Sequence, residues 1–393
     1  MSTYMKNIKI NYLFLIKDIN VTQGIWMLYM ASKGLSLFAI GTLEAIFHIT
    51  SFIMETPTGA IADLFGRKTS RLIGIGFAIL ASIIIVTSNT YIGFAIGFAL
   101  SALSYNFESG AGEALIFDSL QAEGQKNRFM AVIGKLEMGY QTATVLGLLL
   151  GGFLGNINYA FVYYAAILFS FVGLIIGLFF KEPPIGNKST PQKTGLMAAI
   201  KHQYTSSFAV IKARPRLAYL ILFIDVIFAG STMTFYYVQL SLKNIGYTPF
   251  QIGVTLVAAT SVAILGAFLA THAHNRLGEQ KLMNTGAFII SASMILCFFT
   301  EYSVLPLIII SFVEAALYVA TRDYINKLIP SDKRATLLSF DSMVFSFCMI
   351  AMFPLFGLLG DQATIPVAFL VFGSVFVLLS FVGSRIHVSP PAE

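Results

Sequence analysis

Along most of this chain apolar residues do not alternate with polar ones. They run together for roughly 20 residues at a time, the length a helix needs to cross ~30 Å of hydrocarbon. Polar residues, Gly and Pro collect between the runs. The pattern predicts six spans in the first half, near 10–31, 36–62, 70–88, 91–119, 128–153 and 157–180. It predicts six more near 216–241, 249–272, 281–299, 303–325, 335–360 and 364–384. Spans 1, 4 and 10 contain charges that lower their hydropathy. One longer polar stretch interrupts the rhythm, from Lys181 to about Arg216, with Glu-Pro-Pro and Gly-Asn-Lys-Ser-Thr-Pro. It separates an N-terminal six-helix bundle (1–180) from a C-terminal one (216–393), with 181–215 as a cytoplasmic linker. Thr194–Ile211 has the composition of an amphipathic surface helix. The expected fold class is an all-α membrane protein of twelve transmembrane helices in two pseudo-symmetric six-helix bundles.

Composition agrees. Charged residues are 11% of the 393 and apolar ones 56%, with mean hydropathy +0.78. So much apolar surface has to face lipid. Charge then sets the topology. With Met1 in the cytoplasm, 20 of the 25 Lys and Arg fall in loops on the same side, Arg67, Lys68 and Arg71 among them. Lys33 and Lys243 lie opposite, while Lys17, Lys135 and Arg322 fall inside spans. This positive-inside bias puts both termini in the cytoplasm, as expected of a multi-pass protein of a bacterial plasma membrane. It also accounts for the net charge of +6 without a nucleic-acid partner. The two cysteines, Cys297 and Cys348, sit in apolar runs and suggest neither a disulfide framework nor a metal site.

The halves echo each other. Asp63-Leu-Phe-Gly66-Arg67-Lys68 after span 2 matches a degraded Asn275-Arg-Leu-Gly278-Glu279-Gln280-Lys281 after span 8. Glu108 stands 20 residues before Arg128 and Glu314 stands 20 before Arg334, a constant offset of 206. Parallel repeats around a midplane cavity are a transporter architecture.

Acids within the bilayer cost at least ~2.5–3.5 kcal/mol each on insertion scales, so each requires a partner, a proton or water. Glu44, His48, Ser51 and Glu55 in span 2 fall within about 60° of one helix face. Such a stripe lines a pathway or makes a polar helix contact. Lined up on a cavity, these groups would exchange protons near neutral pH. Pro57 removes a backbone donor just beyond them. Glu108 in span 4 and Glu314 in span 10 are further proton-site candidates. Asp225 and Asp341 are isolated acids, structural or coupling. Lys17-Asp18 in span 1 reads as a snorkelling pair. Gly147, Gly151 and Gly155 form a ridge on span 5 that admits another helix closely. No G-x4-G-K-[ST] pattern is present. His272-Ala-His274, at a helix end without acidic or Cys neighbours in sequence, reads as interfacial. No cofactor and no metal are expected.

The turn Asp63-x-x-Gly66-Arg67-Lys68 resembles the loop between the second and third helices of the major facilitator superfamily. The longer pattern Glu55-x-Pro57-x5-Asp63-x3-Arg67-Lys68 is similar to a subgroup containing tetracycline-type efflux proteins. The resemblance covers the whole chain and implies the major facilitator fold. It also implies a cytoplasmic gate in which Asp63, Gly66, Arg67, Lys68 and Asp118 take part. Two features depart from the drug/proton antiporters: span 4 lacks their arginine, and span 5 has their glycines without their proline. The implied activity is proton-coupled efflux of amphipathic small molecules by alternating access, with no enzymatic step. The expected partners are a small-molecule substrate, protons and the lipid bilayer, and the expected state is a monomer. A symporter or uniporter importing a small metabolite is the alternative. A membrane enzyme or non-transporting receptor is disfavoured, because the acids are scattered through both halves.

Overall fold

The computed structural model describes residues 4–184, 205, 215–328 and 334–384. Apart from Thr205, the surface helix expected over Thr194–Ile211 lies outside the described residues. Every regular element among the described residues is helical. In chain order the helices begin with α1 (Met5–Phe14), α2 (Trp26–Ser32), α3 (Leu37–Phe65), α4 (Arg67–Thr87) and α5 (Tyr91–Glu108). Next come α6 (Ala111–Ala122), α7 (Phe129–Ile157), α8 (Tyr159–Leu178) and α9 (Pro215–Asn244). The last are α10 (Pro249–Leu277), α11 (Glu279–Leu296), α12 (Val304–Leu328), α13 (Arg334–Gln362) and α14 (Ile365–Ser384).

All twelve expected positions carry helix, and eight helices are by themselves long and apolar enough to cross a membrane. Two of the others are not single helices, which corrects the expectation of uniform spans. In span 1, α1 stops at Phe14, a 3-10 turn carries Lys17 and Asp18, and the chain is non-helical until α2. In span 4 the helix breaks at Ser109-Gly110, where Gly110 has φ +74°. Glycine takes such a positive φ without the Cβ clash other residues meet. Span 2, by contrast, stays helical through Pro57.

The described residues pack into two compact units, Met1–Trp26 with Ile46–Ile200, and Met27–Ala45 with Lys201–Glu393. In the first, Phe14, Ile75, Leu115 and Phe180 form one apolar core cluster, and Ile8, Ile116, Leu120 and Val132 another. The glycine ridge of α7 has a different occupant from the one expected. Gly147 and Gly151 lie against the backbone of Asn20 and Val21, in the non-helical part of span 1. A Cβ on Gly147 would come within 2.7 Å of the Asn20 carbonyl. The ridge therefore accommodates a bend in the chain, where a helix was anticipated.

In the second unit, the first turn of α3 is held by α13. Asp361 accepts from the Leu37 and Phe38 amides, one carboxylate oxygen each, at 2.8 Å. This satisfies two of the four orphan N–H groups of a helix start and places a negative charge at the positive end of the dipole. The Tyr237 hydroxyl donates to the Phe353 carbonyl at 2.9 Å. A Cβ on Gly41 would lie 2.5 Å from that same carbonyl oxygen, so only glycine permits the crossing.

The sequence echo is also a backbone echo. Gly66 separates α3 from α4 with φ 98° and ψ 157°, and Gly278 separates α10 from α11 with φ 74° and ψ 162°. Both lie in a region open essentially to glycine alone. Their hydrogen bonds correspond as well: Gly66 to Ala62 and Ser70 to Gly66, Gly278 to His274 and Leu282 to Gly278.

Candidate functional site

The polar stripe of span 2 divides by environment. His48 is buried, its ring against Phe47 with centroids 5.4 Å apart, and Glu44 is partly buried. Ser51 donates to Asn106 Oδ1 at 2.7 Å, and Asn106 Nδ2 donates back to the Ser51 carbonyl at 2.6 Å. That member of the stripe is therefore a contact between α3 and α5. Glu55 is exposed and makes no ion pair among the described residues. One turn on, Thr58 donates to the carbonyls of Met54 and Glu55, close to where Pro57 interrupts the ladder.

Glu108 lies in a partly buried four-charge cluster. Arg71 reaches it through Nη2 at 2.8 Å and Nε at 3.0 Å, and Lys17 Nζ approaches to 3.6 Å while bonding Asp18. Arg71 also donates to Asn11 Oδ1 at 2.7 Å. Its guanidinium lies 4.3 Å from the Phe14 ring centroid and 4.9 Å from that of Phe180, within cation–π range. Arg71 was expected in a cytoplasmic loop. It stands one turn inside α4 with its side chain only 5% exposed, so that loop assignment is corrected. The Lys17-Asp18 pair likewise belongs to this cluster rather than standing alone. With two cations and two carboxylates the cluster is formally neutral. Neutrality is the condition under which charges remain in a low-dielectric interior.

The expected gate residues come together at the turn between α3 and α4. Arg67 Nη1 is 2.7 Å from Asp63 Oδ1, one helical turn earlier, and Arg67 Nε is 3.9 Å from Asp118 Oδ2 on α6. The second distance is that of an ion pair without a hydrogen bond, and Arg67 Nε is buried with no hydrogen-bond partner. The guanidinium is thus held on one side and only loosely on the other. Across the turn, Glu182 accepts from the Arg67 amide at 2.6 Å and the Lys68 amide at 2.9 Å. A Cβ on Gly66 would sit 2.5 Å from the Glu182 carboxyl carbon. Gly66 is therefore required by its backbone angles, and a larger residue would also have to displace this cap. Lys68 Nζ donates to the Leu178 carbonyl at 2.7 Å, which completes the last turn of α8.

In the second unit Glu314 is partly buried on α12, with no ion pair among the described residues. Further along α12, Arg322 Nη2 is 2.7 Å from Asp341 Oδ2 on α13, and its guanidinium lies 5.0 Å from the Tyr318 ring centroid. His274, expected to have no acidic neighbour, lies 3.9 Å from Glu279 across the Gly278 turn. Sequence reasoning had not picked out Arg71, Asn11, Asn106 or Glu182 as partners. Arg71 had a readable signal, since it lies four residues past Arg67 and so already inside the helix. Glu182, directly after the last apolar run, had none.

The model for the Major Facilitator Superfamily matches residues 12–313 and, overlapping, 226–393. An uncharacterised transporter of this type from Bacillus subtilis, YxaM, is 22% identical over 379 residues, covering 92% of this chain and 90% of its own. The class B tetracycline resistance protein of Escherichia coli is 23% identical over 276 residues, covering 69% of this chain and 66% of its own. The crystal structure of a mutant of the nucleoside transporter NupG superposes with TM-score 0.81 at 14% identity, over 98% of this chain and 99% of that one.

Proposed function

The chain belongs to the Major Facilitator Superfamily, a family of secondary transporters, and we propose that it is a proton-coupled antiporter expelling amphipathic small molecules. In this reading Glu44, His48, Glu55, Glu108 and Glu314 handle protons or line the pathway. Asp63, Gly66, Arg67, Lys68 and Asp118 form the cytoplasmic gate. The observation that carries the proposal is the asymmetric hold on Arg67, tight to Asp63 and loose to Asp118. A short ionic contact at a helix end, made well on one side only, is the kind of two-state element that a protonation biases. The turn's sequence and the likeness to a tetracycline resistance protein support export of drug-like molecules. The protein then acts as a monomer in the plasma membrane with both termini cytoplasmic.

The test has two parts. A growth-inhibition panel compares cells with and without the protein, and any compound it protects against becomes the probe. In inside-out vesicles with an acid lumen, adding that probe should raise the luminal pH as protons leave in exchange. Luminal acidification on adding the probe, or no pH response while the probe still moves, rules out antiport.

A further inference from the structure

The two units differ in how their buried charges balance. In the first, Lys17 and Arg71 face Asp18 and Glu108, two against two. A cluster on α9, α12 and α13 of the second unit has, among the described residues, one cation for two acids. Arg322 pairs with Asp341, and Asp225 on α9 lies within electrostatic reach of both. Asp225 is 3% exposed, and its Oδ2 is buried without a hydrogen-bond partner. Among the described residues one ionised carboxylate is therefore in excess, inside an apolar helix packing.

Among the described residues the surroundings offer no substitute partner. Leu222, Val226, Val344 and Phe347 line an apolar cavity beside this stretch of α9 and α13. The ionisable groups on α13 near Asp225 are Asp341 and the thiol of Cys348. Over Val304–Arg322 of α12 they are Arg322, Tyr318 (whose ring meets Phe228 of α9 at 5.9 Å) and, two turns before Arg322, Glu314. Over Tyr219–Asn244 of α9 itself they are Tyr219, Tyr236, Tyr237 and Lys243. Those of α10 and α11 cluster around Gly278, namely His272, His274, Arg276, Glu279 and Lys281. Glu301 and Tyr302 sit in the turn before α12. Ile365–Gly383 of α14 has none.

A buried neutral carboxylic acid forfeits a hydrogen bond, whereas a buried unpaired carboxylate forfeits its whole hydration. One added proton makes the three-residue set neutral. We infer that Asp225 binds an exchangeable proton and that Arg322 is a shared guanidinium, paired with Asp341 while Asp225 is protonated and turning to Asp225 when the proton leaves. The swap keeps one acid paired in either state. The inference deepens the proton-coupled reading above by naming a carrier in the second half, and it rests on that reading for its role in transport.

The test uses purified protein in lipid nanodiscs, without substrate, and follows the infrared carbonyl stretch of protonated carboxyl groups against pH. Asp225→Asn, which keeps the shape of the protonated acid, should remove one titrating band that survives in Glu314→Gln. Asp341→Asn frees Arg322 for Asp225. Pairing with a cation favours the charged form, so the midpoint of that band should fall by more than one pH unit. A band unchanged in Asp225→Asn, or a midpoint in Asp341→Asn that stays or rises, overturns the assignment. Should Asp225→Asn fail to insert, the Asp341→Asn midpoint decides alone, since Asp225 is intact there. No drug is present, so failure here is distinct from failure of the efflux assay.

Discussion

Replacing Glu108 by Gln should destabilise the protein more than any other single charge removal in the first unit. The substitution conserves shape but leaves Lys17 and Arg71 facing Asp18 alone, a net charge of +1 in a cluster where Arg71 is 5% exposed and Lys17 13%. Breaking one partner out of a buried ion pair costs about 3–5 kcal/mol. Glu108 keeps 28% exposure, and a membrane-embedded unfolded state also finds partners, so the lower end of that range applies. Replacing the pair together, Arg71→Leu with Glu108→Leu, restores formal neutrality because Lys17 and Asp18 remain matched. It should cost far less than the sum of the two single changes, giving a coupling of about 1.5 kcal/mol or more. Reversible unfolding in mixed detergent micelles measures all four corners of the cycle. A Glu108→Gln cost within about 0.5 kcal/mol of zero, the level of an ordinary surface change, would mean that water solvates the cluster and that the argument from neutrality is wrong.

Glu55→Gln should abolish proton-driven transport with little effect on thermal stability, because Glu55 is exposed and makes no ion pair among the described residues; unchanged efflux in vesicles removes it from coupling. Arg67→Ala should slow turnover more than it weakens substrate binding, since Arg67 bridges Asp63 and Asp118; normal turnover dismisses the gate. Gly66→Ala and Gly278→Ala separate strain from contact. Both force alanine into a glycine-only backbone region at about 1–3 kcal/mol, but only at Gly66 does the new methyl also meet a carboxylate. Gly66→Ala should therefore be the more destabilising in thermal unfolding, and equal losses would show that Glu182 simply moves aside. Asp361→Ala removes the cap of α3 and should lower stability by about 1 kcal/mol in the same assay, with a zero effect indicating water replaces the carboxylate.

The positions of the membrane segments were legible because each is a long apolar run, and burial in lipid leaves a chain no cheaper way to satisfy its backbone. The breaks inside spans 1 and 4 were not read. Ser109-Gly110-Ala-Gly held the signal for the second, but a span-length window averages over it. The gate turn was legible because glycine-only angles and a run of charge are local properties. The four-charge cluster was not, since its members come from three separate spans and only packing brings Lys17, Arg71 and Glu108 together. Asp225 was visible as an acid in an apolar helix, yet the missing hydrogen bond at its Oδ2 among the described residues is a property of its neighbours. Hydropathy also gave no hint that Asp361 would reach back more than three hundred residues to the start of α3.

The tie between Glu182 and the Gly66 turn has a practical consequence for dissecting the chain. Lys181 exchanges two hydrogen bonds with Asn7, its amide to Oδ1 at 2.9 Å and its carbonyl from Nδ2 at 2.7 Å, and Glu182 follows directly with its hold on α4. A half-molecule cut after Phe180, where greasiness ends, would strip away both anchors. One cut after Pro184 would retain them, and complementation from separately expressed halves ought to favour the longer piece.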